Sequence, residues 1–221
     1  MRTGAAGGIA AKYLAKPSSG SVCFIGAGTQ ARTRLMALKI VLGELRKVSV
    51  YDLKAEASCS FTEYAKVFLE GDAKVKVCSS PREAVEGADI IVTTTPSREP
   101  VVMNEWVSEG VHFNCIGADA PGKQEIDPVI LVKAKVVVDD VEQAVHCGEI
   151  NVPIKSGIFD SRMIYGELGE IVAGLKKGRE SDGEITVFTS TGIAIQDAAT
   201  AKLAYEKALM RGVGTRINFV I

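Results

Sequence analysis

The stretch that most constrains the fold of this chain is residues 21–52, SVCFIGAGTQARTRLMALKIVLGELRKVSVYD. It contains a short apolar run, a glycine turn, a segment with apolar residues at helical spacing, a second apolar run and an acidic residue. The two runs, residues 22–25 and 48–51, are typical of strands buried on both faces of a parallel sheet. The pattern therefore predicts a strand–helix–strand unit whose helix covers residues 29–45.

The turn between the first strand and the helix indicates a nucleotide-binding site. Gly26 allows a tight turn, Ala27 follows it, and Gly28 lets backbone N–H groups approach a phosphate closely. Thr29 and Gln30 open the helix, where free N–H groups and the positive end of the helix dipole favour a pyrophosphate. We therefore expect these five residues to bind a dinucleotide.

Asp52 ends the second strand, where the acid of a Rossmann unit accepts hydrogen bonds from the adenosine ribose hydroxyls. Its charge would repel a 2′-phosphate, so NAD is favoured as the cofactor, while the nearby Lys54 keeps NADP possible. Ala31 occupies the position of the third glycine. Two alternatives are a unit whose glycines serve only tight packing and a methyltransferase-like sheet that binds a different adenosine ligand.

Composition excludes several classes of protein. The 221 residues are 47% hydrophobic and carry a net charge of −1, which does not indicate binding to nucleic acid. No apolar stretch approaches the roughly 20 residues that span a bilayer, and no secretory signal is evident. The five cysteines form no CxxC pair and there are two histidines, so neither a disulfide framework nor a metal site is predicted. We expect a cytoplasmic protein with no membrane partner.

The remainder of the chain alternates between strand and helix patterns. We expect further strands over residues 75–78, 89–93, 111–116, 135–139 and 184–188, which makes seven. We expect helices over residues 4–16, 55–69, 82–88, 141–150, 165–177 and 193–210, with an irregular segment over 151–162. This order predicts an α/β fold with a Rossmann-type, doubly wound, mostly parallel sheet.

The first and last predicted helices lie outside this alternation. Residues 4–16 are rich in alanine and glycine, which predicts close packing against another helix or a ligand. No strand follows residues 193–210, so we expect that helix to pack elsewhere, with the first helix as a plausible neighbour.

Polar residues follow two of the predicted strands. Thr94, Thr95 and Pro96 follow the fourth, and Asp119 follows the fifth. Ligands of open α/β sheets lie beyond the carboxyl ends of the strands, so these residues are candidates to contact a cofactor or substrate. Asp119 is placed to act as a base or to hold a substrate ammonium group. Turn and capping roles are the alternative for all four.

Arg2 and Thr3 precede the first helix, where their donors and the free N–H groups could bind a phosphate or carboxylate together. The residues alone favour a frayed terminus with a solvated arginine.

Taken together, these motifs resemble the ornithine cyclodeaminase/mu-crystallin family, and within it the archaeal alanine dehydrogenases. The resemblance covers essentially the whole chain. It is carried by residues 2–5 (RTGA), 25–31 (IGAGTQA), 93–102 (TTTPSREPVV), 116–127 (IGADAPGKQEID), 136–151 (VVVDDVEQAVHCGEIN), 166–188 (GELGEIVAGLKKGRESDGEITVF) and 190–197 (STGIAIQD).

The resemblance implies roles for several residues. Arg2 would lie near the substrate carboxylate and Thr3 near the cofactor phosphates, while Asp119 would be catalytic. In the family, a cluster of hydroxyl residues and a glycine after the last strand lies near the nicotinamide. The matching residues here are Ser190, Thr191 and Gly192. Thr189 departs from the family pattern, which usually has an aspartate before Ser-Thr-Gly.

The resemblance also implies an activity. We expect an NAD-dependent oxidoreductase that acts on a small L-amino acid, converting L-alanine to pyruvate and ammonia, and that is a homodimer in its full-length form. Alternatives are an ornithine cyclodeaminase, which forms L-proline and ammonia from L-ornithine, and a non-catalytic NAD(P)-binding protein.

The family pattern also predicts the domain organisation. Family members carry further residues before RTGA, which form most of a second, dimerising and substrate-binding domain and supply a lysine and another arginine to the substrate. We therefore expect a dinucleotide-binding domain over residues 18–192, with residues 1–17 and 193–221 as a remnant of that second domain.

Overall fold

A computed structural model describes residues 1–217 of the 221. Its strands are β1 Ser21–Ile25, β2 Lys47–Tyr51, β3 Lys74–Val77, β4 Ile90–Thr93, β5 His112–Cys115, β6 Lys135–Val138, β7 Ile164–Glu167 and β8 Thr186–Thr189. Its α-helices are α1 Arg2–Leu14, α2 Thr29–Leu42, α3 Ala55–Phe68, α4 Pro81–Val85, α5 Pro128–Lys133, α6 Val141–His146, α7 Asn151–Lys155, α8 Leu168–Val172 and α9 Ala194–Arg211. Short 3-10 helices cover Asn104–Trp106 and Ser161–Met163.

The strands form one parallel sheet in the order β3-β2-β1-β4-β5-β8-β6-β7. After β1 the chain builds outward through β2 and β3, and it then returns to place β4 on the other side of β1. The direction of winding therefore reverses between β1 and β4, and this is the point at which open α/β sheets bind ligands. The predicted Rossmann-type fold is confirmed.

Strand β1 buries side chains on both faces of the sheet, as its apolar run predicts. Val22 and Phe24 of β1 pack on one face in a cluster with α1, α2 and α3. Cys23 and Ile25 pack on the other face in a cluster that includes α4, α5 and α6. The alternation of neighbouring residues between two apolar layers explains why the strand sequence shows no polar positions.

Helix α1 packs closely against α2 because its glycines leave no space for side chains. A Cβ atom on Gly4 would lie 2.5 Å from the carbonyl oxygen of Thr33, and one on Gly8 would lie 3.0 Å from the Cβ of Ala37. The predicted close packing of this helix is confirmed. In contrast, α9 has no buried residue.

The prediction of a helix over residues 165–177 is wrong at its start. Residues Ile164–Glu167 form β7, an edge strand that the sequence did not predict and that brings the number of strands from the predicted seven to eight. The helix is confined to Leu168–Val172. Pairing with β6 decides the strand, with Val137 opposite Gly166. Glu167 and Glu170 then form a capping box that fixes where α8 begins.

The predicted helix over residues 141–150 is too long, and the segment after it is less irregular than expected. Helix α6 ends at His146, and Gly148 follows with φ +90°. Asn151 donates from its side-chain nitrogen to the carbonyls of Val145 and His146, and it begins helix α7. The side-chain amide thus caps one helix at the start of the next.

The division of the chain into a domain over 18–192 and a terminal remnant stays a proposal. Helix α1 lies on the parallel sheet and contacts α9 at its start, where Arg2 pairs with Asp197. Residues 218–221 of the predicted remnant lie outside the described residues. Within residues 1–217, no helix is both long enough and apolar enough to span a membrane.

Candidate functional site

The glycine turn lies at the point where the winding of the sheet reverses. Gly26 has φ +95°, and a Cβ atom there would lie 2.8 Å from the carbonyl oxygen of Thr94. Gly28 precedes the first residue of α2, and a Cβ atom on it would meet nothing within 4 Å. The first N–H groups of α2 have no side-chain cap. The turn therefore offers open space and unpaired donors to an anion.

Asp52 is tied to this turn. One of its carboxylate oxygens accepts from the backbone nitrogen of Ala27 at 2.8 Å, and the other accepts from the backbone nitrogen of Lys54 at 2.9 Å. Each oxygen has a further lone pair, so the carboxylate can still accept from a pair of hydroxyls. The hydrogen bond to Ala27 fixes the distance between the acid and the glycine turn.

Beside Asp52 lies a cavity of about 380 Å³ with mostly apolar walls. It is lined by Ile25, Gly26, Tyr51, Asp52, Leu53, Pro81, Thr95, Pro96, Ser97, Pro100, Val101, Met103 and Trp106. Mostly apolar walls with one acidic group among them suit a heteroaromatic ring attached to a sugar.

A second cavity of about 370 Å³ adjoins the first, and Thr95 and Pro96 line both. Its lining residues are Arg2, Thr3, Gln30, Thr94, Thr95, Pro96, Ile116, Gly117, Asp119, Lys123, Ser190 and Thr191. Nine of these are sequence-predicted site residues, drawn from five separate segments of the chain. Gly192 lies on the far side, where it lines a third cavity with Asp119 and Thr191. Ala27, Gly28 and Thr29 line neither of these two cavities. In the chain they lie between Gly26, which lines the first cavity, and Gln30, which lines the second.

Asp119 has a partner that the sequence did not single out. The ammonium group of Lys123 lies 2.5 Å from a carboxylate oxygen of Asp119, and both residues line the second cavity. Asp119 is 61% exposed. The signal in the sequence was a lysine four residues after the aspartate, beyond a Pro-Gly turn.

Arg2 is held by α9. Its Nε donates to a carboxylate oxygen of Asp197 at 2.8 Å. Its guanidinium also covers Gly192, where a Cβ atom would lie 2.5 Å from Nη1. The ion pair takes one side of the guanidinium, and the fork of Nη1 and Nη2 is the side that can bind a carboxylate in a bidentate manner.

Two buried carboxyl groups lie beneath the second cavity. Glu125 accepts from the hydroxyl of Thr93, from the backbone and hydroxyl of Thr95, and from the backbone nitrogen of Gly117, at 2.5 to 2.8 Å. One oxygen of Glu149 accepts from the backbone nitrogens of Glu125 and Ile126 at 2.7 Å. Glu125 thus joins the ends of β4 and β5.

Burial governs the protonation of this pair. It raises the pKa of Glu125, although the hydrogen bonds that Glu125 accepts oppose this rise. Burial, together with the negative charge of Glu125, raises the pKa of Glu149 to about 8. The second oxygen of Glu149 has no hydrogen-bond partner within residues 1–217, and it is the natural position for the proton.

Comparison with known proteins identifies the family to which the chain belongs. The sequence profile of the ornithine cyclodeaminase/mu-crystallin family matches residues 1–212. This chain belongs to the ornithine cyclodeaminase/mu-crystallin family. The resemblance predicted from its motifs is therefore confirmed, and the alternative of a methyltransferase-like sheet is excluded.

The chain is similar to several characterised members of the family. It is 52% identical over 219 residues to an alanine dehydrogenase of Archaeoglobus fulgidus, covering 99% of this chain and 66% of the relative. An archaeal alanine dehydrogenase dimer with bound NAD superimposes with a TM-score of 0.92 at 52% identity, covering 99% of this chain and 66% of that one. The Δ1-pyrroline-2-carboxylate reductase of Thermococcus litoralis, solved with NADH and L-proline, has a TM-score of 0.93 at 46% identity, covering 98% and 66%. The chain therefore spans about two thirds of the length of these family members.

The sequence analysis did not propose four residues that contact the candidate site or its predicted residues: Lys123, Asp197, Glu125 and Glu149. The last three act through contacts with residues far away in the chain, as in the pair of Arg2 and Asp197, which are 195 positions apart. Such partners leave no local pattern. Thr189 occupies a buried position at the end of β8 and accepts from the backbone nitrogen of Glu149 through its hydroxyl at 3.2 Å. At this departure from the family pattern, the structure thus has a neutral hydroxyl that binds the backbone of Glu149.

Proposed function

We propose that this chain binds NAD and belongs to an oxidoreductase that deaminates a small L-amino acid, with L-alanine as the first candidate. The observation that carries the proposal is the pair of adjoining cavities along the carboxyl edge of the sheet. One holds an acid beside apolar walls, and the other brings together an arginine, an aspartate and a lysine. The similarity to alanine dehydrogenases supports the choice of substrate.

The residues present fit NAD. The open side of Gly28 and the uncapped start of α2 suit the pyrophosphate, and the free lone pairs of Asp52 suit the ribose hydroxyls. The apolar cavity beside Asp52 suits adenine. The carboxylate of Asp52 disfavours a 2′-phosphate, so we propose NAD over NADP. When bound, the nicotinamide supplies the acceptor for a hydride from the substrate Cα.

The second cavity supplies the groups that orient the amino acid. The free fork of the Arg2 guanidinium would bind the substrate carboxylate, which fixes the orientation of the Cα–H bond. The hydroxyls of Ser190 and Thr191 line the same cavity and would border the reacting face. These contacts exclude water from one side of the substrate and hold it in one pose.

Asp119 would move the protons. Deamination requires a base that takes a proton from the water that attacks the imino acid, and the exposed carboxylate of Asp119 is in place for this step. Lys123 donates to that carboxylate and holds it beside the cavity that both residues line. Homodimerisation of the full-length protein stays part of the proposal.

A reductase that acts on a cyclic imino acid is the second candidate, because the Thermococcus litoralis relative is as similar in structure as the dehydrogenase. Both reactions use the same hydride position and differ in whether ammonia is released. The open cavity of about 370 Å³ has room for a five-membered ring.

The test measures NADH and ammonia together after NAD is mixed with L-alanine, L-proline or L-ornithine. Equal amounts of NADH and ammonia from L-alanine would support the proposed dehydrogenase. NADH without ammonia from L-proline would favour the reductase, and ammonia from L-ornithine without lasting NADH would favour a cyclodeaminase. Binding of NADH with no turnover of any of the three would contradict an oxidoreductase. Failure to bind NADH would contradict the cofactor.

A further inference from the structure

Asp139 follows the last residue of β6 and is 6% exposed. One of its carboxylate oxygens accepts from the hydroxyl of Ser190 at 2.9 Å and from the backbone nitrogen of Gly192 at 2.6 Å. The other accepts from the hydroxyl of Thr191 at 3.3 Å and from the backbone nitrogen of Asp140 at 3.1 Å. Three of the four donors therefore come from one segment of three residues.

That segment lies outside the helices and strands, and apart from Asp139 its hydrogen bonds run from the backbone nitrogen of Ser190 to the carbonyl of Cys115 at 3.1 Å and from the hydroxyl of Thr191 to the side-chain oxygen of Gln143 at 3.2 Å. It connects the end of β8 at Thr189 to the start of α9, and Gly192 has φ +81°. A buried carboxylate that accepts several hydrogen bonds is among the stronger ways to fix such a loop, because each of these bonds has a charged acceptor. Asp139 thus holds the segment against the end of β6.

The held segment forms part of the wall of the candidate site. Ser190 and Thr191 line the cavity that contains Asp119, and the backbone of Gly192 lies directly under the guanidinium of Arg2. A shift of this segment would move two hydroxyls and the surface on which Arg2 rests. Asp139 itself is buried behind the segment, so it acts on the cavity through these three residues.

We infer that Asp139 is a positioning residue that sets the nicotinamide end of the groove by holding Ser190, Thr191 and Gly192 in place. The inference rests on the proposed binding of NAD. It assigns to Asp139 no contact with cofactor or substrate. The inference separates binding of the nicotinamide from binding of the adenosine and pyrophosphate. The glycine turn and Asp52, proposed to bind the adenosine and pyrophosphate, lie at the other end of the groove and share no hydrogen bond with Asp139.

The test compares two ligands that share the adenosine and pyrophosphate groups. NADH carries the nicotinamide, and ADP-ribose lacks it. Dissociation constants for both are measured for the wild-type protein, Asp139→Asn and Asp139→Glu. The control is Asp89→Asn, because the Asp89 carboxylate also accepts from two backbone nitrogens, those of Gly20 and Ser21, at 3.0 Å but at the opposite edge of the sheet.

We expect Asp139→Asn to weaken NADH binding by roughly tenfold or more, while ADP-ribose binding changes less than about twofold. Asp139→Glu, which keeps the charge but displaces the carboxylate, changes the ratio of the two constants in the same direction. Asp89→Asn leaves that ratio unchanged even where it lowers stability.

Equal losses for NADH and ADP-ribose in both Asp139 variants would show a merely structural role and overturn the inference. Unchanged binding of both ligands in both variants would also overturn it. If the wild-type protein binds neither ligand, the proposed NAD-binding function itself fails, and the inference fails with it. Where one variant does not fold, the other decides between these outcomes.

Discussion

Replacing Glu149 by glutamine tests the buried carboxyl pair beneath the site. Glu149 is fully buried and accepts from the backbone nitrogens of Glu125 and Ile126 through one oxygen. Glutamine keeps that acceptor and the side-chain volume, and it places an amide where the unpartnered oxygen lies. The variant therefore removes a titrating group with little change in packing.

The sign and size of the effect follow from the pKa of Glu149, which is raised from 4.5 to about 8 in the folded protein. As the pH rises above 4.5, the unfolded chain releases this proton while the folded protein keeps it. The free energy of unfolding then falls by about 1.4 kcal/mol per pH unit until the folded pKa is passed. Between about pH 5.5 and about pH 7.5 this amounts to roughly 3 kcal/mol, a large part of the stability of a typical domain.

The assay is urea unfolding of the wild-type protein and of Glu149→Gln across that pH range. We expect the wild-type protein to lose stability relative to the variant as the pH rises, with the difference approaching the value above. Glu142→Gln, the same chemical change on an exposed residue of α6, provides the baseline. Parallel curves for the wild-type protein and Glu149→Gln would refute the conclusion that folding holds a proton on Glu149.

Three further substitutions test the site. Gly26→Ala should destabilise the protein by about 1–3 kcal/mol in urea unfolding and weaken NADH binding in a fluorescence titration. The reason is that the backbone φ of Gly26 is +95° and the new Cβ atom would lie 2.8 Å from the carbonyl oxygen of Thr94. A variant as stable as the wild-type protein would contradict this. Asp52→Ala should lower the ratio of the dissociation constants for NADPH and NADH by about tenfold or more, and an unchanged ratio would place the ribose elsewhere. Lys123→Met should lower kcat by up to about fivefold in the turnover assay, since its pair with Asp119 is partly exposed, and a loss of several hundredfold would instead assign Lys123 a catalytic role.

The nucleotide-binding unit could be predicted because its signals are local. The apolar runs at residues 22–25 and 48–51 form strands Ser21–Ile25 and Lys47–Tyr51, and the glycine turn lies between the first strand and α2, as expected. Two-sided burial, a turn that needs glycine and a helix start each leave a mark within a few residues.

The edge strand β7 could not be predicted in this way. The sequence Ile-Tyr-Gly-Glu at 164–167 is too short for its periodicity to distinguish a strand from the first turn of a helix. Its conformation is decided by pairing with β6, which is distant in sequence from it. A pattern read along the chain contains no information on that partner.

The same limit applies to the candidate site. Asp119 and the glycine turn were predicted because residue type and position after a strand indicate their chemistry. The contact of Arg2 with Asp197 joins residues 195 positions apart, and that of Asp139 with Gly192 joins residues 53 positions apart. They become visible only when the sheet brings the carboxyl ends of β6 and β8 together. The assigned roles of all these residues stay predictions until variants are measured.

The most direct test of the account uses its single tryptophan. Trp106 lines the apolar cavity beside Asp52, where the account places the adenine of the cofactor. Titration with NADH should quench Trp106 emission to a saturating value and produce energy transfer to the nicotinamide, while ADP-ribose should alter Trp106 emission without that transfer. Saturable NADH binding, shown by an independent method, that leaves Trp106 emission unchanged would contradict the proposed position of the cofactor.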